Sequence, residues 1–352
     1  MFEMLRSHQD SMLGIDISAT AVKLLEISKA DDSYKVESYA VTPLPTGAVI
    51  EKTIKNTDAV VEGLISTLRK SGSKGKHAVI AVADSSVITR VVQLEAHLTE
   101  DEMEEHILIE ADKYIPYPLE EVRLDFDIQG PSKTEGFVNV LIVASRAENV
   151  TTRMEVLRRA GIEAKVVDVE SYAMERACSL LHDSGDHQGK VVAVFDIGAT
   201  MTNVSILHDR STVFTREEAF GGQRLTDEIQ QRYDLTFQEA GLAKKLGNLP
   251  DDYESEVLTP FRETAVLQVR RSLQFFFSST QHSNVDTLLL AGGTAQVPGL
   301  VKVIEEQVSI PTLLANPFAN MAVSSSVDLR WLNNDAPALM ICCGLALRGL
   351  AE

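Results

Sequence analysis

Two short segments of the chain each place an aspartate at the end of an apolar strand and follow it with a tight turn of small and hydroxyl residues. The first, Leu13 to Thr20, carries Asp16, and the second, Val194 to Thr200, carries Asp196. Such turns point backbone N–H groups and hydroxyls at an anion. Because a carboxylate repels a bare phosphate, each aspartate is expected to act on a Mg²⁺ ion that bridges phosphates, directly or through water. The repeat predicts a magnesium-bound nucleotide between two related halves.

Other turns are predicted to contact the same nucleotide. Gly221 and Gly222 open a helix, and Gly292 and Gly293 follow an apolar strand, where bare backbone can approach the nucleoside. The predicted contacts in all these turns are Ser18, Ala19, Thr20, Gly198, Ala199, Thr200, Asn203, Gly221, Gly222, Gly292, Gly293 and Thr294. The alternative is a set of turns without a ligand, because Asp-Gly-Thr and Gly-Gly clusters commonly just reverse the chain.

Two charged residues near these turns have more than one possible role. Lys23 lies on an apolar strand face with Leu25 and Ile27, where an unpaired ammonium is costly. A phosphate or Asp16 could satisfy it, or its stem could pack while its head reaches solvent. Glu170 lies where a helix begins, so it could orient water for attack on the terminal phosphate or simply favour the helix dipole.

The composition indicates a folded, acidic protein. Of 352 residues, 44% are hydrophobic and 24% are charged, which is ordinary for a globular core. Fifty-one acidic residues against 33 basic ones give a net charge of −18, which argues against a nucleic-acid surface. Three cysteines cannot form a disulfide framework and favour a reducing compartment. No His-Glu-x-x-His pair, Walker-type loop or Gly-x-Ser-x-Gly elbow occurs, so the corresponding hydrolase sites are excluded.

The elements that must position these residues follow a βββαβ order. The hairpin at 13–27 is followed by a strand at Tyr34–Val41, a helix at Thr57–Lys70 and a buried strand at His77–Val82, and a related unit starts at Val191. The predicted boundaries are 12–84 with 165–187 for a first subdomain, 85–164 for an insertion, 188–225 with 285–352 for a second subdomain, and 226–284 for a mostly helical one. The polar segment 182–190 is predicted to separate the halves.

The insertion contains a candidate surface for a protein partner. Thr99 and Glu102 form a capping box for a helix that stops at a proline-rich segment. Its residues Tyr114, Ile115, Pro116, Tyr117 and Pro118 make a semi-rigid apolar surface beside the acidic Glu120, Glu121, Asp125 and Asp127. A groove of this character could hold an extended basic or apolar peptide, although such residues most often pack a small core.

No segment is predicted to span a membrane. The longest apolar stretch, Ala336–Leu347, is shorter than the ~20 residues that cross a bilayer, so we expect a buried helix. The first residues lack the ~7 to 15 apolar residues of a signal-peptide core, so no export is expected. Phe2, Met4 and Leu5 could contact a membrane or a partner, or belong to a frayed terminus.

Over essentially its whole length the chain resembles the superfamily of actin, heat-shock chaperones and sugar kinases. The position of its insertion is similar to that in the division protein FtsA. The motifs are most similar to those of the PilM family of type IV pilus assembly: Gly14 to Ser18, Val22 to Glu26, Glu110 to Glu121, and Val166 to Glu170. The resemblance implies a duplicated actin-like (ribonuclease H-like) α/β fold with an FtsA-like inserted subdomain.

The family resemblance also implies ligands and partners. They are ATP with a divalent ion in the cleft and the short cytoplasmic N-terminal segment of the membrane protein PilN. The family further implies a place in the inner-membrane platform that couples motor ATPases to the pilus. The chain stops at Glu352, directly after its last core helix, so the expected membrane contact is indirect, at the cytoplasmic face of the inner membrane.

Two positions depart from the superfamily pattern. An Ala-Glu-x-x-Lys segment often contacts the sugar, and the matching stretch here is Ala240 to Lys244, so Lys244 is predicted to reach the ribose or base without the glutamate. Ser18 occupies a place that is usually glycine. Because serine resists positive φ, the turn is expected to be altered and ATP hydrolysis to be slow or lost while binding persists.

Three functions are therefore compared. The first is a nucleotide-dependent scaffold in which ATP fixes the cleft beside a docked partner. The second is a small-molecule kinase, which would need a catalytic base, and no aspartate in a further glycine-rich loop supplies one. The third is an FtsA-like filament, a homo-oligomer normally tethered by an amphipathic C-terminal helix.

Overall fold

The computed structural model of the protein describes residues 12–30, 33–181 and 189–351. The predicted contacts of Phe2, Met4 and Leu5 lie outside these residues, as does most of the predicted boundary segment 182–190. Within the described ranges no helix is long and apolar enough to cross a membrane.

The first sheet is built on the predicted hairpin. Its elements are β1 (Leu13–Ile17), β2 (Ala21–Ala30), β3 (Ser33–Pro43), the small hairpin β4 (Val49–Ile50) and β5 (Thr53–Ile54), α1 (Thr57–Ser71) and β6 (His77–Val82). Asn56 caps α1 by accepting from the Ala59 amide. Helix α1 buries Val60, Val61 and Leu64 in a core with β1 and β2. The βββαβ order predicted from the sequence is confirmed.

The segment that follows forms a separate small sheet. It comprises β7 (Val87–Glu95), α2 (Glu100–Glu110), β8 (Val122–Pro131), β9 (Phe137–Arg146) and α3 (Ala147–Arg159), with strand order β7-β9-β8. The capping box of Thr99 and Glu102 is present. Strand β7 was not predicted, because its sequence places Thr89 and Arg90 among the apolar residues and blurs the alternation. Helix α3 contributes Val156 and Leu157 to the core under the first sheet.

The second half repeats the plan of the first. Strand β10 (Glu163–Val169) and helix α4 (Glu170–Cys178) first complete the first half. The second half comprises β11 (Val191–Ile197), β12 (Thr202–His208), β13 (Ser211–Glu218), α5 (Gln223–Tyr233), α6 (Phe237–Leu246), α7 (Thr259–Ser279), β14 (Thr287–Ala291), α8 (Leu300–Val308), β15 (Thr312–Leu314), β16 (Ala322–Val323), α9 (Leu329–Asp335) and α10 (Met340–Arg348). The sheet orders are β10-β6-β1-β2-β3-β16 and β13-β12-β11-β14-β15. In both sheets the aspartate-bearing strand pairs antiparallel with the next strand and parallel with a later one.

Helices α4 and α10 lie between the two sheets and bring them together. A Cβ atom on Gly344 would lie 1.7 Å from the Ala173 carbonyl oxygen, and one on Gly14 would lie 2.3 Å from the Cys342 carbonyl oxygen. The backbones therefore touch where only glycine fits. One apolar core joins α4 and α10 to residues of both sheets, including Leu25 and Val194. This packing sets the ends of β1 and β11 opposite each other.

Candidate functional site

The turns at Ser18–Thr20 and Gly198–Thr200 have the same backbone hydrogen bond. The Ser18 amide donates to the Ala21 carbonyl at 2.9 Å, and the Gly198 amide donates to the Met201 carbonyl at 2.9 Å. Neither Ser18 nor Gly198 adopts a positive φ. The expectation that serine alters the first turn is therefore wrong, because the position does not require the left-handed conformation that serine resists. The sequence argument for slow or lost hydrolysis loses its basis with it.

Lys23 pairs with Asp16 and lies within electrostatic range of Asp196. Its ammonium donates to Asp16 at 2.9 Å, and both side chains are largely buried. Burial alone would lower the pKa of Lys23, but the nearby carboxylates of Asp16 and Asp196 outweigh it and raise the pKa above its usual value. Among the roles left open for Lys23, the pairing with Asp16 is the one observed. The two aspartate turns thus converge on one buried cation.

Asp196 is held differently from Asp16. Its side chain forms no hydrogen bond or close ion pair with any residue that the structure describes, whereas its backbone belongs to the β11 ladders. Burial raises its pKa to about 6, with Asp16 and Glu170 adding to the effect and Lys23 and Lys52 opposing it. At neutral pH it is an ionised carboxylate in a poorly solvated place, which favours a bound cation.

The turns of the second half converge on Gly198 and Ala199. The Gly222 amide donates to the Gly198 carbonyl at 3.0 Å, and the Thr294 hydroxyl donates to the same oxygen at 2.7 Å. A Cβ on Gly221 would lie 2.4 Å from the Ala199 carbonyl oxygen. These glycines therefore permit close approach of one turn to another, and the sequence grouped them correctly.

The third turn is crowded at Gly292 and open at Gly293. Gly292 has a φ of 84°, and a Cβ there would lie 2.5 Å from Asp196 Oδ1. A Cβ on the neighbouring Gly293 would meet no atom within 4 Å. The backbone at Gly293 is thus accessible to a ligand, as are the exposed Thr20 and Thr200.

Lys244 lies on α6, and its side chain reaches the start of α5. Its ammonium donates to the Gly222 carbonyl at 3.3 Å and to the Thr226 hydroxyl at 2.6 Å. Burial lowers its pKa despite the nearby Asp227. The structure therefore brings Lys244 to the second-half turns.

Glu170 is the first residue of α4 and is buried beneath Lys52, with which it forms a short ion pair. The Asn203 amide also approaches it at 3.4 Å. Burial alone would lower the pKa of Lys52, but the carboxylates of Glu170, Asp196 and Asp16 together raise that pKa above its usual value. The hydrogen bond from Asn203 joins this ion pair of the first half to strand β12 of the second.

Lys52, Arg153 and Asp84 belong to this neighbourhood and were missed from the sequence. Lys52 lies in a turn between two-residue strands, which give no periodic signal. Arg153 lies on the buried stripe of α3 with Val150 and Val156, and a charged residue on an apolar helix face was a usable signal. Asp84 follows the buried strand β6, the same placement that identified Asp16 and Asp196.

The residues around the two aspartates determine whether a metal ion would fit here. Among the described residues no three His, Cys, Asp or Glu side chains lie close enough together to hold a metal ion. Asn203 Oδ1 is buried and has no hydrogen-bond partner there. It faces Asp196 across the β11–β12 ladder, as Lys23 faces Asp16 in the first half. A donor such as metal-bound water would satisfy it. The residues thus fit a Mg²⁺ ion held mainly through water and phosphate oxygens.

A second site lies on the other side of Lys52. It is a cavity of about 530 Å³, within the range of ligand sites. Its walls are residues 53–55 of the small hairpin, residues 85–88, and the insertion. Its charged side chains are Lys55, Arg146, Arg153 and Glu148, so it carries net positive charge.

The cavity contains part of the expected partner surface. Ile115 and Tyr117 line it, and the Arg146 guanidinium lies 4.2 Å from the centre of the Tyr117 ring. Tyr114 instead donates to Glu110, and Pro116 and Pro118 are exposed and lie outside the lining. Glu120, Glu121, Asp125 and Asp127 do not line the cavity either, so the expected acidic groove is not found there.

Comparison with known proteins identifies the family to which the chain belongs. The model of the family described as type IV pilus assembly protein PilM matches residues 14–350. A solved PilM-PilN type IV pilus biogenesis complex is 28% identical, with a TM-score of 0.79, and the match covers 97% of this chain and 98% of that chain. The ethanolamine utilization protein EutJ from Carboxydothermus hydrogenoformans is 17% identical, with a TM-score of 0.58 over 96% of this chain and 89% of that chain. The predicted actin-like fold is confirmed.

Proposed function

Because the chain belongs to the family of the type IV pilus assembly protein PilM, we propose that it is a nucleotide-dependent scaffold that binds ATP and Mg²⁺ in its cleft and PilN in its cavity. The observation that carries the nucleotide site is the convergence of Asp16 and Asp196 on Lys23. The PilN assignment draws on the solved PilM-PilN complex, whose PilM chain is similar over nearly its whole length.

In the cleft, the turns at Ser18–Thr20 and Gly198–Thr200 would bind phosphates through amides and hydroxyls. Lys23 and Lys52 would neutralise phosphate charge, since both ammonium groups are buried among carboxylates. Gly293 leaves space for the nucleoside, and Lys244 approaches the same region from α6. Asp16 and Asp196 would hold a Mg²⁺ ion, mainly through water, and the ion would supply positive charge for the phosphates. Glu170 stays a candidate for orienting water, although Lys52 must release it first.

In the cavity, the cytoplasmic N-terminal segment of PilN would lie between the small hairpin and the insertion. Ile115, Tyr117 and Val122 supply apolar wall, and Arg146 and Arg153 supply donors for backbone carbonyls or carboxylates of a peptide. A cavity of about 530 Å³ accepts a few side chains of an extended segment rather than a whole domain.

The same proposal covers the place of the protein in the cell. Docking on PilN would recruit the protein to the cytoplasmic face of the inner membrane, where it would couple nucleotide state to the motor ATPases and to twitching motility.

The peptide site is tested by filling the cavity. Thr152 lines it from α3, whereas its neighbour Thr151 is exposed and points elsewhere. A synthetic peptide of the N-terminal segment of PilN from the same organism is titrated into wild type, Thr152→Trp and Thr151→Trp. We expect at least a tenfold loss of affinity for Thr152→Trp alone, because an indole would occupy the cavity. Equal affinity for all three proteins would place the peptide elsewhere.

A further inference from the structure

We propose that the two-residue turn Glu51–Lys52 couples the nucleotide cleft to the cavity, so that each ligand changes the affinity for the other. The inference rests on the proposed function, because it needs a nucleotide in one site and a peptide in the other. It adds a specific route: Lys52 touches both sites, one through its side chain and the other through its backbone.

The turn is strained by its sequence. Glu51 and Lys52 have φ values of 45° and 64°, the left-handed conformation that two-residue hairpin loops usually give to Asn-Gly. Long side chains adopt it rarely, and they keep it where surrounding contacts fix the backbone. The turn at Asp209–Arg210 has similar φ values, but both of its residues are exposed, so strain alone does not mark the site. What distinguishes the turn at Glu51–Lys52 is the set of contacts that Lys52 makes.

Three contacts tie Lys52 to both sites. Its ammonium pairs with Glu170 at the start of α4, and Glu170 also contacts Asn203 of the second half. Its carbonyl oxygen accepts from the Arg153 guanidinium at 2.7 Å. Thr53, Ile54 and Lys55, the next residues, line the cavity together with Arg153. The hairpin is thus one wall of the cavity and, through Lys52, one side of the cleft.

Arg153 is suited to transmit a change. Its guanidinium is buried, and its hydrogen bonds among the described residues go to the carbonyls of Asn149 and Lys52, not to a carboxylate. It therefore fastens the strained turn to α3 through hydrogen bonds to carbonyl oxygens, and a cavity ligand that engages its remaining N–H donors shifts the group that holds the Lys52 carbonyl.

The nucleotide acts on the same residue from the other side. Asp16 and Asp196 are close enough to Lys52 to raise its pKa, so phosphate charge beside these aspartates attracts its ammonium away from Glu170. Any displacement of Lys52 moves the carbonyl that Arg153 holds and the residues that follow it. Because coupling free energies are reciprocal, peptide binding must shift nucleotide affinity by the same factor.

The test measures the coupling factor, which is the ratio of peptide dissociation constants without and with a saturating slowly hydrolysed ATP analogue and Mg²⁺. The probe peptide is the N-terminal segment of PilN from the same organism. Wild type is compared with Arg153→Met, which cuts the bond to Lys52, and with Arg146→Met, an equal change at a cavity arginine that contacts Tyr117 instead. We expect a factor of about five or more, in either direction, for wild type and Arg146→Met, and a factor near one for Arg153→Met.

Hydrogen exchange of wild type keeps the test independent of the variants. Each ligand alone should change the exchange of amides in residues 49–54 by at least about threefold. Binding of both ligands with a coupling factor of one, or a full factor in Arg153→Met, overturns the inference and leaves the proposed function intact. Unchanged exchange at 49–54 with both ligands bound also overturns it. Failure of wild type to bind either ligand overturns the proposed function and the inference together.

Discussion

Replacing Gly292 with alanine should unfold the edge of the nucleotide site. Gly292 has φ 84° and ψ 160°, a region that is essentially restricted to glycine and costs other residues about 1–3 kcal/mol. The new Cβ would also lie 2.3 Å from the Ile197 carbonyl oxygen, which is backbone and cannot rotate away. We therefore expect a loss of about 3 kcal/mol or more in the free energy of unfolding. In thermal denaturation this corresponds to a fall in Tm of roughly 4 °C for a chain of 352 residues.

Gly293→Ala is the matched control, one residue further along. A methyl group there meets no protein atom within 4 Å, and the φ of Gly293 is not in the left-handed range. We expect a Tm within about 1 °C of wild type, since exposed substitutions away from such strain change stability little. The methyl group would instead occupy the space assigned to the nucleoside. Crowding of about 1–3 kcal/mol weakens binding of a Mg²⁺-bound ATP analogue roughly 5- to 150-fold.

The pair separates structure from binding. Wild-type stability in Gly292→Ala would refute the steric argument. Wild-type nucleotide affinity in a stable Gly293→Ala protein would refute the placement of the nucleoside beside this turn.

Three further predictions follow from the buried charges. The pKa of Asp196 is about 6, and Mg²⁺ requires the ionised form, so calorimetry should find nucleotide binding about fourfold weaker at pH 5.5 than at pH 7.5, with no such pH step in Asp196→Asn. Burial raises the pKa of Asp84 to about 6 from a usual value of about 4, so the folded state loses stability as pH rises through this window. Asp84→Asn should therefore raise the free energy of unfolding by up to about 3 kcal/mol at pH 7.5 and leave it unchanged at pH 4. A gain in Tm that does not depend on pH would contradict this. Lys52→Met leaves Glu170 buried and unpaired, which should cost about 3–5 kcal/mol in denaturant unfolding, and most of it should return in the double variant with Glu170→Gln.

The sequence predicted what periodicity and turn chemistry encode. The strands that carry Asp16 and Asp196, the helix α1 and the glycine turns all repeat a local pattern, so the duplicated fold and the members of the phosphate turns could be predicted. The prediction of an altered turn at Ser18 assumed that the glycine usual in the superfamily has a positive φ. It was wrong because φ at a turn depends on the turn type and not only on the residue.

The rest could not be predicted because it depends on long-range contacts. Lys52 and Glu170 are separated by 118 positions, and Lys52 and Arg153 by 101, so no local window brings them together. The cavity likewise forms only where the small hairpin meets the insertion, so the sequence did not predict its basic lining.

The central claim is that the two aspartate turns hold one Mg²⁺-dependent nucleotide, and calorimetric titration of a slowly hydrolysed ATP analogue tests it most directly. Wild type should bind one equivalent only when Mg²⁺ is present. Asp196→Asn should weaken binding at least tenfold, and Asp209→Asn, the same change in an exposed hairpin turn, should bind as wild type does. Equal binding by Asp196→Asn, or no binding by wild type at millimolar nucleotide, would contradict the account.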